Sequence, residues 1–170
     1  MVTLSSLLPT LRDSLPEPFT RDLWPAHTAV TVRDVLIGAV SMQRLVDLCA
    51  TPCVMTSDAV TSPSGGMASP LSTTSVVIAS VVEAGDEPGL RTVRLDARLS
   101  AVEHHGSQLR MLGRISHAPF TSWVVLDADG SRVALDAPSL PRDLRAGDLL
   151  AIPCRGAVAL SDIRPLQERR

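Results

Sequence analysis

The runs TSVVIASVVE (74–83), LRTVRLDARL (90–99), QLRMLGRIS (108–116) and SWVVLD (122–127) decide the fold class. Each is short, rich in β-branched residues and set off from the next by turn formers, the pattern of strands. RVALD (132–136), DLLAIPC (148–154) and GAVALSDI (156–163) continue it, and Asp129-Gly130 is the strongest hairpin signal among them. So many short strands at close spacing predict an all-β domain, a β-barrel or sandwich with one short helix.

That helix lies upstream. TAVTVRDVLI (28–37) reads as one strand and Gly38-Ala39 as its turn. Ser41 is placed to cap MQRLVDLC (42–49), in which Met42, Leu45, Val46 and Cys49 share a face. Pro52 stops the helix, and CVMT (53–56) gives a brief second strand. The stretch TSPSGGMASPLS (61–72) carries Gly, Ser and Pro without hydrophobic periodicity and reads as a linker or long loop. Residues 1–22 read as an N-terminal extension: Leu4, Leu7, Leu8 and Leu11 are helix-spaced, but Pro9 cuts the pattern and Pro16 and Pro18 end it. The expected organisation is therefore 1–22 extension, 23–60 first part of the β-domain, 61–72 linker and 73–165 second part.

The 170 residues suffice for one domain with its own core, and 45% hydrophobic against 20% charged is the balance of a globular chain. A net charge of −2 and a pI near 6.0 give no footprint for nucleic acid. No apolar run approaches the roughly 20 residues that span a bilayer. The N-terminus has no basic stretch of the secretory type, so a cytoplasmic protein without membrane partners is expected. All 16 positive residues are arginine, and lysine, asparagine and tyrosine are absent. Those three have A/T-rich codons, which reads as a GC-rich bacterial coding sequence. Without a lysine amine this chain cannot form a Schiff base with a carbonyl cofactor or substrate. Proton transfer would fall to Asp, Glu, His or Cys. Three cysteines, Cys49, Cys53 and Cys154, in apolar contexts read as buried thiols and not as a disulfide framework or a zinc site.

The order of the pieces resembles a known family. LWPAHTAVTVRDVLIGAVSMQRLVDLCATPCVMTSD (23–58) looks like the N-terminus of the diaminopimelate decarboxylases, fold-type III PLP enzymes, through Trp24-Pro25, Gly38, Leu45 and Thr51-Pro52. RTVRLDARLS (91–100) stands where that family has a strand ending in Val-Asp-Gly-Gly-Met-Ser. Arg114-Ile115-Ser116 and Ala118-Pro119 follow in order, and PRDLRAGDLLAIPCRGAV (141–158) is similar to the family's Pro-Gly-Asp-Leu and Gly-Ala-Tyr run. The resemblance implies a β-domain with the TIM barrel removed and residues 61–72 in its place. It also implies lost chemistry: Val158 stands for the tyrosine facing the cofactor, and ADGSR (128–132) stands for the Cys-Glu-Ser-Gly-Asp segment. No PLP or other cofactor is expected, and a surface stripped of its barrel needs a cover: self-association or a separate protein subunit.

Candidate residues follow from chemistry. His104 and His105 beside Glu103 form the densest polar cluster, either a base and ligand pair or a solvated hairpin tip. Adjacent residues on a strand face opposite ways, so one metal ion is not expected to take both. Asp127, Asp129 and Gly130 read as turn residues and not as a calcium loop. Arg94, Asp96 and Arg98 alternate with Val93, Leu95 and Ala97, giving a charged face that is either a site or a solvated surface. The catalytic candidates are Asp96, His105 and His117; the substrate-binding candidates are Arg94, Arg98 and Arg114; no metal site is expected. The sequence supports a decarboxylase-derived module that binds a partner protein or a small apolar or amino-acid-like ligand without PLP chemistry. The alternative is a PLP-independent cyclase, isomerase or lyase acting on a small metabolite in the vacated pocket.

Overall fold

The structure is a computed structural model that describes residues 13–135 and 138–165. The leucine pattern at Leu4, Leu7, Leu8 and Leu11 lies outside the described residues. The chain is all-β, as the strand pattern predicts. Its elements are β1 (Thr28–Val30), β2 (Val35–Ile37), β3 (Val40–Ser41), α1 (Met42–Cys49), β4 (Cys53–Val60), β5 (Ala68–Glu87), β6 (Leu90–Leu95), β7 (Arg110–Leu112), β8 (Phe120–Ser122), β9 (Val124–Leu126), β10 (Ser139–Pro141), β11 (Leu149–Arg155) and α2 (Leu160–Ile163).

The spine is β5. Its 20 residues pair with β4 and β11 along the first part, Thr73–Ser80, and with β6 along the second, Val81–Glu87. The main ladder runs β7-β11-β5-β6-β9, antiparallel except for the parallel β6–β9 pair. It is open: β7 and β9 end it without pairing to each other, so the barrel form of the expectation is not built. Alternation along β5 explains its unbroken apolar run. Val77, Ala79 and Val81 enter one core with Leu95, Leu99, Trp123, Leu150 and Ile163, whereas Val76 and Ile78 enter another with Trp24, Ile37 and Met42. Both faces of the central strand are therefore covered, and a strand covered on both faces reads as continuous hydrophobicity.

The sequence from Thr28 to Ile37 makes two strands where one was expected. The Thr31 hydroxyl accepts from the backbone N–H groups of Arg33 and Asp34 at 3.3 and 2.9 Å, folding TVRD into a turn between β1 and β2. Gly38 and Ala39 take positive φ, 54° and 68°, the geometry of the tight turn that joins β2 to β3. Ser41 caps α1, its Oγ accepting from the Arg44 N–H at 3.0 Å.

Residues 61–72 are expected as a linker; in the structure residues 61–67 turn the chain and 68–72 already belong to β5. Downstream, Arg132 makes a single bridge, to Leu126, and residues 133–135 form no strand; Asp136, the end of the expected strand, lies outside the described residues. GAVALSDI turns into the short helix α2, whose Asp162 carboxylate accepts from the Ala159 N–H at 3.1 Å. Among the described residues no helix is long and apolar enough to cross a membrane.

Candidate functional site

Asp96 sits just past β6 at the point where β6 takes over from β4 beside the spine. The register of β5 against β6 shifts between Val81 and Glu83, and the backbone of Ser80 is served by neither ladder's regular pairing. Asp96 fills that gap: its Oδ1 accepts from the Ser80 N–H at 2.8 Å and its own N–H donates to the Ser80 carbonyl at 3.1 Å. The carboxylate is thus holding backbone.

His105 lies on the open side of β11. Its N–H donates to the Pro153 carbonyl at 2.9 Å, Arg155 donates to the Glu103 carbonyl at 2.8 Å, and His104 bridges Cys154. The EHH segment is docked along a strand edge and is not a solvated hairpin tip. Burial, helped by the charge of Arg155, holds the His105 imidazole below its ordinary pKa. His117, past β7, places Nε2 3.3 Å from an Asp13 carboxylate oxygen on the N-terminal segment. No hydrogen bond or ion pair among the described residues joins any two of Asp96, His105 and His117.

The arginines are equally dispersed. Arg94 lies 3.3 Å from Glu83 across the β5–β6 hairpin. Arg98 donates its backbone N–H to Ile163, and its charge helps, after the Ser131 hydroxyl and N–H, to keep the Asp129 carboxyl below the usual range. Arg114 is the most engaged: Nε and Nη2 grip Asp148, Nη1 takes Asp143, and Nη2 also donates to the Asp143 carbonyl. That uses four of the roughly five N–H bonds a guanidinium offers, and the hydrogen bond to Asp148 is the main reason its pKa is raised. Burial works to raise the Asp143 pKa, but the Ser116 hydroxyl and Arg114 outweigh it, so its carboxyl stays below the ordinary range.

Two features were not legible as sites in the sequence. Asp127, which the sequence marks as a turn residue, is fully buried; it accepts from the Leu99 N–H at 2.6 Å and from the Ser100 N–H and hydroxyl at 3.2 and 2.6 Å. It pins the end of the β6 segment to the β9 hairpin. The second feature is a groove of about 410 Å³ beside β9, lined chiefly by Trp123, Val125, Arg132, Val133 and Leu135. No periodicity marks it, because its wall is made where the irregular segment 132–135 crosses the edge of β9. There the Val133 N–H donates to the Val125 carbonyl at 2.9 Å. Burial pushes the Cys53 thiol up to about 11 and the Cys154 thiol up to about 12, so neither is a thiolate at neutral pH. Cys49, expected in the core, is exposed instead, at the last residue of α1. Among the described residues no group of three or more His, Cys, Asp or Glu is placed to hold a metal ion.

Fold and site together define an all-β domain with a doubly covered, open central sheet, whose polar side chains tie loops to strands. Solved structures similar to part of it include a crystal structure of diaminopimelate decarboxylase, 23% identical with a TM-score of 0.37, covering 48% of this chain and 24% of that one. Another is the X-ray crystal structure of the Paramecium bursaria Chlorella virus arginine decarboxylase, 17% identical with a TM-score of 0.36, covering 54% and 28%. The chain thus spans about a quarter of the length of the decarboxylases it matches. No family model and no curated protein sequence matches the chain.

Proposed function

We propose that this chain is a binding module, taking a partner protein or a small molecule, and that it carries out no PLP-dependent decarboxylation. One observation carries the reading. Two of the side chains that the sequence offers for chemistry are spent on architecture, Asp96 on the Ser80 backbone and Arg114 on Asp143 and Asp148, as is the buried Asp127 on Leu99 and Ser100. A group that must move a proton or hold a substrate needs free donors or acceptors at the reacting atom, and these have few left. The absence of lysine supports the same conclusion for Schiff-base chemistry. The resemblance to a domain that packs against a barrel in its family favours a protein surface or a copy of itself as one occupant, and the β9 groove offers room for a small one. Three unpaired thiols suit a cytoplasmic setting.

The test is native mass spectrometry of the protein purified gently from its producing organism. The expected result is a mass above the 18.1 kDa of the bare chain, from a second polypeptide, a second copy or a retained small molecule. An empty monomer that turns over a metabolite would overturn the binding-module reading in favour of an enzyme.

A further inference from the structure

β4 is hydrogen-bonded along its length on one side only, to β5. On its other side only the end is met: Pro25 bridges Ala59, and the Ala26 N–H donates to the Asp58 carbonyl at 2.7 Å. In an extended strand the N–H and C=O of one residue point the same way, and alternate residues share a side. The pairing with β5 is unbroken from Cys53 to Asp58, so the outward Asp58 carbonyl places the backbone groups of Thr56 and Val54 outward as well. The 2.7 Å contact of the Thr56 and Ser75 hydroxyls agrees, since opposed side chains come closest in a pair that exchanges no backbone bond. Among the described residues nothing bonds to the outward N–H and carbonyl of Val54 or Thr56. Folded proteins blunt such edges with a cover, a charge or a proline. The edge of β9 is covered, the Val133 N–H donating to the Val125 carbonyl, and the later part of β5 carries Glu83 and Asp86. CVMTS (53–57) has no charge and no proline, and Leu48, on α1 just before it, is 72% exposed.

We infer that β4 pairs antiparallel with β4 of a second copy of this chain, about a two-fold axis at Met55, so that two sheets become one across a dimer. The inference rests on the binding-module reading and names the occupant and its contact. With Met55 opposite its own copy, Val54 faces the second copy's Thr56, and Thr56 faces the second copy's Val54. Each of these pairs has both residues turned toward the partner and exchanges two backbone bonds. The edge is therefore self-complementary, as a two-fold contact requires, and it opposes no like charges. Other registers waste the outward groups. A slip of one residue sets them against residues whose backbone already serves β5. A slip of two sets Thr56 against Pro52, which has no N–H, or Val54 against Asp58, whose carbonyl is taken by Ala26.

Sedimentation velocity over a concentration series is expected to carry the chain from 18.1 kDa to twice that mass. Thr56→Pro removes one outward N–H per copy and no bond to β5, a place where edge strands accept proline. It takes away two of the four bonds across the dimer and should raise the dissociation constant about tenfold or more. Thr56→Lys, at an exposed position, puts a charge on the edge and should act in the same direction. Thermal unfolding of dilute samples checks that both variants remain folded. Met55→Cys in a Cys49→Ser background should give a disulfide-linked dimer with copper–phenanthroline. Opposed residues of a pair without backbone bonds have Cα atoms ~4.5 Å apart, within the ~4.4–6.8 Å that a disulfide spans. The inference is overturned if the wild type stays monomeric, if the dimer survives both Thr56 substitutions, or if Met55→Cys does not cross-link. Slow amide exchange at Val54 and Thr56 in a monomer would also overturn it, by showing the edge covered within one chain. A monomer that retains a small molecule or another polypeptide in native mass spectrometry sinks the β4 pairing alone. The binding-module reading falls only with an empty monomer that turns over a metabolite.

Discussion

Arg114 grips Asp148 through two parallel hydrogen bonds, Nε to Oδ1 at 2.7 Å and Nη2 to Oδ2 at 2.6 Å, across 34 residues of sequence. Asp148 is almost wholly buried and also accepts from the Arg145 N–H at 3.0 Å. The pair fastens the loop after β7 to the entry of β11, just where the Val81 N–H meets the Asp148 carbonyl. Arg114→Met leaves a buried carboxylate unpaired, and the expected loss is about 3 kcal/mol in urea unfolding. Arg114→Lys should recover under half of it, since an ammonium cannot make the fork. A loss below about 0.5 kcal/mol would place the pair among ordinary surface bridges.

Asp127 is the second tie. Its carboxylate takes two backbone N–H groups and a hydroxyl from Leu99 and Ser100. Asp127→Ala orphans the buried Leu99 N–H and should cost about 2–3 kcal/mol. Asp129→Ala, two residues on in an exposed turn, should lower the unfolding temperature far less. Equal losses in thermal unfolding would show that Asp127 is no more than a turn residue.

His105 predicts a pH dependence. Its folded pKa lies below the ordinary value of 6.5, so on acidification the unfolded chain binds the proton first. Stability attributable to this group is present above about pH 6.5 and is lost as the pH falls through the depressed folded pKa. Unfolding free energies measured from pH 8 to pH 5 should therefore fall less steeply for His105→Gln than for the wild type. Parallel curves would mean that the imidazole is as hydrated folded as unfolded.

The thiols should separate by burial. Cys49 is exposed, whereas Cys53 and Cys154 are buried. N-ethylmaleimide at pH 7.5 is expected to add once to the native protein and three times in denaturant, with the native adduct mapping to the peptide of Cys49. Rapid native labelling of Cys154 would show that β11 opens readily.

Much of the fold was legible because it is local. The Ser41 cap, the Gly38-Ala39 turn, the Asp129-Gly130 hairpin and the alternation of Val93 and Leu95 with Arg94 all stand in the structure as the sequence predicts. Failures came where side chain and backbone compete over a few residues: the Thr31 hydroxyl breaks the Thr28–Ile37 strand, and Asp162 turns the last predicted strand into α2. The candidate site was legible in its residue types and not in its grouping. Nothing along the chain says that Asp96 will meet the Ser80 backbone, 16 residues away, or that Arg132 and Trp123 will line one groove.

By itself the sequence determined the all-β class, the position of the helix and the absence of any lysine for Schiff-base chemistry, because propensity, turn chemistry and composition act within a few residues or none. Tertiary structure alone decided that the sheet stays open, that β5 is its spine, and that the charged residues serve as ties. Those outcomes depend on strands separated by tens of residues meeting in one register. That register is chosen by burying Val76 to Val81 alternately in two cores, an energy summed over the whole chain that no local window contains.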